Sequence, residues 1–176
     1  MTASAARRIV VDTDIAHAAG ESGDARSIAC RRFLEVMRDV RHHLATSREV
    51  FDEYREHQSR FFKKWLRSMF SRKLHARVEP GSVEDIRTAL EQLDVLSRDR
   101  QATIKDLHVV ATAFEADRLV ASMDETARRC FSAATVTAAR LKEIAWVNPT
   151  LEADEPVEWL EAGAKNEHFR RLESGR

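Results

Sequence analysis

The sequence predicts an α/β protein, a three-layer α/β/α sandwich built on a short, mostly parallel central sheet. Short apolar, β-branched runs alternate along the chain with longer segments whose apolar residues recur at helical spacing. In addition, four carboxylates, Asp12, Glu53, Asp106 and Asp124, each stand beside such a segment, where a strand would end or a helix begin. Parallel strands joined by right-handed crossovers bring their carboxyl ends to one edge, so acids distant in sequence can become neighbours there.

Residues 8–12 (RIVVD) read as a buried parallel strand. A loop over residues 20–24 supplies a cap, and Ile28, Ala29, Phe33, Val36, Met37 and Val40 mark the helix that follows. A second short strand is predicted at residues 42–46, and Ser47 can cap the next helix. The stripe from Val50 through Tyr54, Phe62, Trp65 and Met69 predicts one long helix reaching about Leu74 and ended by Glu79-Pro80-Gly81. Ser82 and Asp85 resemble a capping box for a helix carrying Val83, Ile86, Leu90 and Leu93. Residues 97–103 read as a polar connection. Asp106 opens an alanine-rich helix ending near Asp117, residues 119–123 form a strand, residues 125–139 a helix and residues 144–147 a last strand. Pro156 and Gly163 bracket one more short helix, and the final dozen residues read as frayed. The division expected is a domain over residues 1–149 and a helical appendage with tail over residues 150–176.

Composition narrows the function classes. Lys plus Arg equals Asp plus Glu at 29 each in 176 residues, so net charge selects no partner and only local charge can. No run approaches the ~18 apolar residues of a membrane span, and no leader pattern precedes Val10, so a cytoplasmic location is expected. Cys30 and Cys130 match no metal or redox spacing and read as buried free thiols. No Walker loop, dinucleotide fingerprint or Ser/Cys–His nucleophile pattern is present, and the seven histidines lack metal-ligand spacing.

The acids carry the chemical expectation. At an effective dielectric near 20, two carboxylates ~4 Å apart cost roughly 4 kcal/mol, a cost that a bound cation removes. Oxygen-only ligands select a hard cation, Mg²⁺ or Mn²⁺. Such an ion lowers the pKa of water and neutralises charge on phosphate oxygens, so hydrolysis is the expected reaction. Asp14 stands as a fifth ligand or a supporting group, and Thr13 and Ser122 as residues that orient ligands.

Three segments, VVDTD (residues 10–14), TSREVFDEY (46–54) and KDLHVVATAFEADRLVASMDETARRCF (105–131), resemble the PIN domain, a metal-dependent nuclease fold shared by many bacterial toxin nucleases. The last is the most specific, with Asp106 opening an alanine-rich helix and Ser122-Met123-Asp124 closing a strand. The resemblance covers roughly residues 7–149 and places the family's acidic set on Asp12, Glu53, Asp106 and Asp124, with Glu53 preferred to Glu49. It implies a metal-dependent endoribonuclease leaving a 3′-hydroxyl and a 5′-phosphate, with RNA as substrate. A toxin of a toxin–antitoxin pair, with a cognate antitoxin or other protein partner, and a processing nuclease both fit. The long segment between Glu53 and Asp106, the stretch DETARRCF and the tail depart from compact toxins.

Two alternatives stand beside it. One is a non-catalytic PIN-like binding or scaffold protein. The other is a haloacid-dehalogenase-like phosphatase, with Asp12 as nucleophile and Asp14 as acid and Thr46 or Ser47 mimicking the second motif. That pattern leaves Glu53 and Asp106 idle and lacks a paired acid beside Asp124 other than Glu125. On the long helix, Arg60, Lys63, Lys64 and Arg67 are candidate RNA contacts, and its aromatic surplus suggests a homodimer.

Overall fold

The computed structural model describes residues 6–174; residues 1–5, part of the stretch read for a leader, and residues 175–176 lie outside them. Five parallel strands form one sheet in the order β3-β2-β1-β4-β5. They are β1 (Arg8–Val11), β2 (His43–Thr46), β3 (His75–Arg77), β4 (Leu119–Ala121) and β5 (Ala145–Val147). The strands are fully apolar at their centres because both faces are covered, as parallel sheets require; Ile9, Val10, Val11, Val120 and Val147 expose nothing.

Among the described residues the helices are α1 (Thr13–Ala18), α2 (Ala25–Asp39), α3 (Arg48–His57), α4 (Arg60–Ser71), α5 (Glu84–Glu91), α6 (Ser97–Lys105), α7 (Leu107–Phe114), α8 (Glu125–Ala134) and α9 (Pro156–Glu161). One outer layer packs α2 against α4 and α9; the other packs α5 and α6 against α8. Helix α3 contacts both α1 and α7, which ties the layers together around the carboxyl edge of the sheet. The chain starts at the sheet centre, steps outward to β3, then returns to the other side of β1. That reversal opens a crevice between the carboxyl ends of β1 and β4, where α/β sheets form ligand sites.

Several expectations need correction. The long helix is two helices: Gln58 is extended (ψ 142°), and Ser59 caps α4 by accepting from the Phe62 amide at 3.1 Å. Ser59 also donates its amide to Ala16 O (3.0 Å) and its hydroxyl to Ala19 O (2.7 Å), so α1 fixes the break. The chain after α4 forms β3, a strand the sequence did not reveal. The segment read as a polar connection is α6, and the Ser82–Asp85 capping box does not form: Val83 is the cap residue, without a side-chain bond, and Asp85 pairs with Arg140. Of the aromatic residues in this stretch, Phe62 and Trp65 are buried inside the fold, the Trp65 indole donating to Leu34 O, while Phe70 stays 43% exposed.

Of the final dozen residues, read as frayed, the described ones up to 174 are packed against the fold, with Arg170 and Leu172 buried. Trp159, Leu160 and Leu172 are buried in the common core, and the Leu172 amide donates to Ile144 O at 3.0 Å. His42 accepts from the Arg7 amide at Nδ1 and donates from Nε2 to Leu160 O, a neutral tautomer favoured by burial, and so links the N-terminus of the sheet to α9. Cys30 and Cys130 are free and buried, as the sequence implied.

Candidate functional site

The sequence places Asp12 one residue beyond β1, where its amide still joins the sheet by donating to Ala121 O at 2.8 Å. Its carboxylate Oδ2 accepts from the Ser122 hydroxyl at 2.7 Å. Ser122 follows β4 across the crevice, so one hydrogen bond spans the topological switch. The same hydroxyl accepts from the Asp124 amide at 3.0 Å. Asp124 in turn caps α8, its Oδ1 accepting from the Ala127 amide at 2.8 Å. Thus the Ser-x-Asp element acts as a brace, holding both aspartates by one side chain.

Glu53 reaches the cluster from α3. Its Oε2 accepts from the Thr13 hydroxyl at 2.8 Å and lies 3.0 Å from His108 Nε2. Glu49, the alternative on the same helix, is exposed on the flank instead. Tyr54, next to Glu53, is fully buried and donates its hydroxyl to Val11 O, anchoring α3 under the end of β1. Burial, with the charges of Asp12 and Glu53, holds that phenol well above its ordinary pKa, so it stays a donor.

Asp106 sits at the junction of α6 and α7 and makes no side-chain capping bond. Burial first, then the negative charges of Asp12 and Asp124, push its carboxyl up to about 7, with His108 opposing and Glu53 adding to the rise. Asp12 is likewise raised, mainly by burial, against the lowering effects of Ser122 and His108. These mutual influences bring all four sequence-predicted acids into one electrostatic neighbourhood. Asp14 is a fifth member but faces inward. Its Oδ2 accepts from the Met123 amide at 2.8 Å, and its Oδ1 is buried without a hydrogen-bond partner. Burial and the charge of Asp12 push it up to about 8, so it is protonated at neutral pH. The Ser122 hydroxyl also lies 3.3 Å from Asp14, but its single proton goes to the shorter contact with Asp12.

His108 is the residue that sequence reasoning passed over. Its side chain is only 8% exposed; Nδ1 donates to Lys105 O at 2.8 Å, which turns Nε2 toward Glu53. The Nε2 contact has ion-pair distance without hydrogen-bond alignment. Only its place two residues after Asp106 at a helix start could have drawn notice.

Two cavities run along the rim beside the acids rather than through them. One, of about 490 Å³, is bordered by His108, Lys105, Arg87 and Arg48. The other, of about 590 Å³, is bordered by Arg48, Arg55, Arg77, Phe51 and Phe70. The cations proposed from sequence, Arg60, Lys63, Lys64 and Arg67, are exposed on α4, and the cations bordering these cavities are different residues.

The donor set is all oxygen, which fits a hard divalent cation, and Asp12, Glu53 and Asp124 each have one carboxylate oxygen already engaged. No group of three or more His, Cys, Asp or Glu side chains among the described residues is arranged to hold an ion as it stands. Ligation would therefore require side-chain rotation, for which Glu53, with 41% of its side chain exposed, has room. No family model, curated protein or solved structure is a significant match to this chain. Among the described residues no helix is long and apolar enough to cross a membrane.

Proposed function

We propose that this protein is a Mg²⁺- or Mn²⁺-dependent endoribonuclease with a PIN-like site at the β1/β4 crevice. The observation that carries the reading is the gathering of carboxylates at the crevice, where one Ser122 hydroxyl joins Asp12 (2.7 Å) and the Asp124 amide (3.0 Å); the mutual repulsion of these acids, which also raises Asp106, is one that an added cation would relieve. Asp12, Glu53, Asp106 and Asp124 would hold the ion. Bound there, a divalent cation would lower the pKa of water and offset charge on the scissile phosphate. The chain's own residues do the positioning. Ser122 holds Asp12 and Asp124 in register, Thr13 holds Glu53, and Tyr54 keeps α3 against β1.

Purified Asp106→Asn protein, incubated with single-stranded RNA and Mg²⁺, should cleave at least about 100-fold more slowly than wild type, since even outer partners of metal ligands contribute 10–100-fold. Equal rates would refute the assignment. As a toxin the protein would arrest growth on expression, relieved by a co-expressed antitoxin; as a processing nuclease it would not.

A second reading, a non-catalytic scaffold, draws on Asp124 being already committed to its cap and on Glu53 being paired with Thr13. It predicts RNA or protein binding without Mg²⁺-dependent turnover. The phosphatase alternative is weakened by Asp14, which is turned away onto the Met123 amide and not free to serve a leaving group.

A further inference from the structure

The larger rim cavity combines exposed aromatic surface with arginines. Phe70 is 43% exposed and forms an aromatic wall with its neighbours, its ring centroid 6.1 Å from that of Phe51 in an edge-on arrangement and 4.3 Å from that of His75. Around this wall stand Arg48, Arg55 and Arg77, three guanidinium groups against the one lining carboxylate, Asp52. Their existing ion pairs are long: 3.7 Å and 4.0 Å from Arg48 and Arg55 to Asp52, and 3.5 Å from Arg77 to Glu79. With arginine side chains 82, 72 and 64% exposed, such pairs contribute little and can be exchanged for another anion.

We propose that this cavity is a binding subsite for single-stranded RNA, with a base seated against Phe70 and Phe51 and the flanking phosphates on Arg48, Arg55 and Arg77. Aromatic faces combined with forked cationic donors are what unpaired nucleotides recognise, whereas a duplex keeps its bases stacked and inaccessible. The position also lies close to the acids. Ser47 and Arg48 border both rim cavities, and the second one is bordered as well by Lys105 and by His108, whose Nε2 lies 3.0 Å from Glu53. Helix α3 is the shared wall, with Arg48, Phe51, Asp52 and Arg55 on the cavity side and Glu53 on the other, so the two sites lie one helix diameter, ~10 Å, apart. The proposal rests on the nuclease reading for the direction of the strand, but its binding test does not need cleavage.

The test is fluorescence anisotropy of a short labelled single-stranded RNA with full-length protein in EDTA. Wild type should bind the single strand, and a matching RNA duplex should bind at least about tenfold more weakly. Phe70→Ala should weaken binding by about tenfold, and the Arg48→Gln/Arg55→Gln double variant should reduce the slope of log affinity against log salt by about 0.7 for each phosphate no longer neutralised. Phe51→Leu, which keeps the apolar packing, serves as a second variant if Phe70→Ala fails to fold. Absence of binding by wild type, or unchanged affinity and salt slope in the variants, overturns the proposal. So does a concentration-dependent dimer abolished by Phe70→Asp in sedimentation, which would make this face a protein interface. Binding that follows these expectations without Mg²⁺-dependent cleavage would leave the subsite standing and remove the nuclease reading alone.

Discussion

Two buried acidic sites, one a single carboxylate and the other a cluster, stand at the carboxyl edge of the same sheet, and the fold treats them in opposite ways. After β5, Asp154 is 1% exposed and accepts from Arg128 at 3.0 Å and from the Asn148 amide at 2.8 Å. Arg128, itself 5% exposed, also donates to Trp146 O, and Arg170 donates to Asp154 O. Here the cations are built in, and the charges are fixed by hydrogen bonds on every side. Between β1 and β4, by contrast, Asp12 accepts from the Ser122 hydroxyl and Asp14 from the Met123 amide, among the described residues no arginine or lysine pairs with these two or with Asp106, and all three are pushed toward the protonated state. A protein that neutralises one site with its own side chains could have done so for the other. The difference supports the proposed reading, in which positive charge at the second cluster would come from a bound cation.

The sharpest way to break this comparison is to remove the internal cation. Arg128→Met should cost about 3–5 kcal/mol in urea unfolding, because Asp154 would be left buried and unpaired. A change below the size of an ordinary surface substitution would mean that the two sites are not distinct. The reciprocal change has the opposite sign: Asp106→Asn removes repulsion, so the metal-free variant should be more stable than wild type at pH 8.

The pH dependence sharpens the same point. Asp106 and Asp14 sit at about 7 and about 8 in the folded protein, against 3.8 when unperturbed. Between pH ~4 and 7 the folded chain therefore retains protons that the unfolded chain has released, and each group's contribution to stability falls as pH rises through its window. Metal-free wild type should lose stability from pH 5 to pH 8. Asp14→Asn should flatten the upper part of that decline; an identical profile in the variant would show that Asp14 does not titrate there. A smaller effect tests the architecture that delivers Glu53. Ser59→Ala should cost about 1 kcal/mol by removing the α4 cap, with no change at the acids.

The strand-end positions of the candidate acids were more legible in the sequence than the elements around them, for physical reasons. The acids were legible because each follows or precedes a strongly apolar run, and Asp12, Ser122 and Asp124 are bound to the two central strands, whose buried pattern is unmistakable. Strand β3 was not legible: HAR has no apolar alternation, and the turn before it uses Lys73 at φ 59° where a glycine would have announced a helix end. Arg41 and Arg118 take the same left-handed conformation before β2 and β4, so all three helix-to-strand turns lack their usual signal. The α3–α4 break was hidden because the apolar stripe continues across it, and only tertiary bonds from Ser59 to α1 interrupt the helix. His108 was missed because its value lies in a contact with Glu53, 55 positions away in the chain, that no local spacing encodes. Which cations border the rim cavities was not legible for a related cause: a charged helix face looks the same from sequence whether or not a cavity lies beside it.

Calorimetric titration of Mn²⁺ or Mg²⁺ into metal-free protein at pH 8 tests the central claim most directly. Wild type should give a saturable heat that disappears in Asp106→Asn while Arg60→Gln retains it. No heat in wild type, or the same heat in both wild type and Asp106→Asn, would contradict a cation-holding cluster.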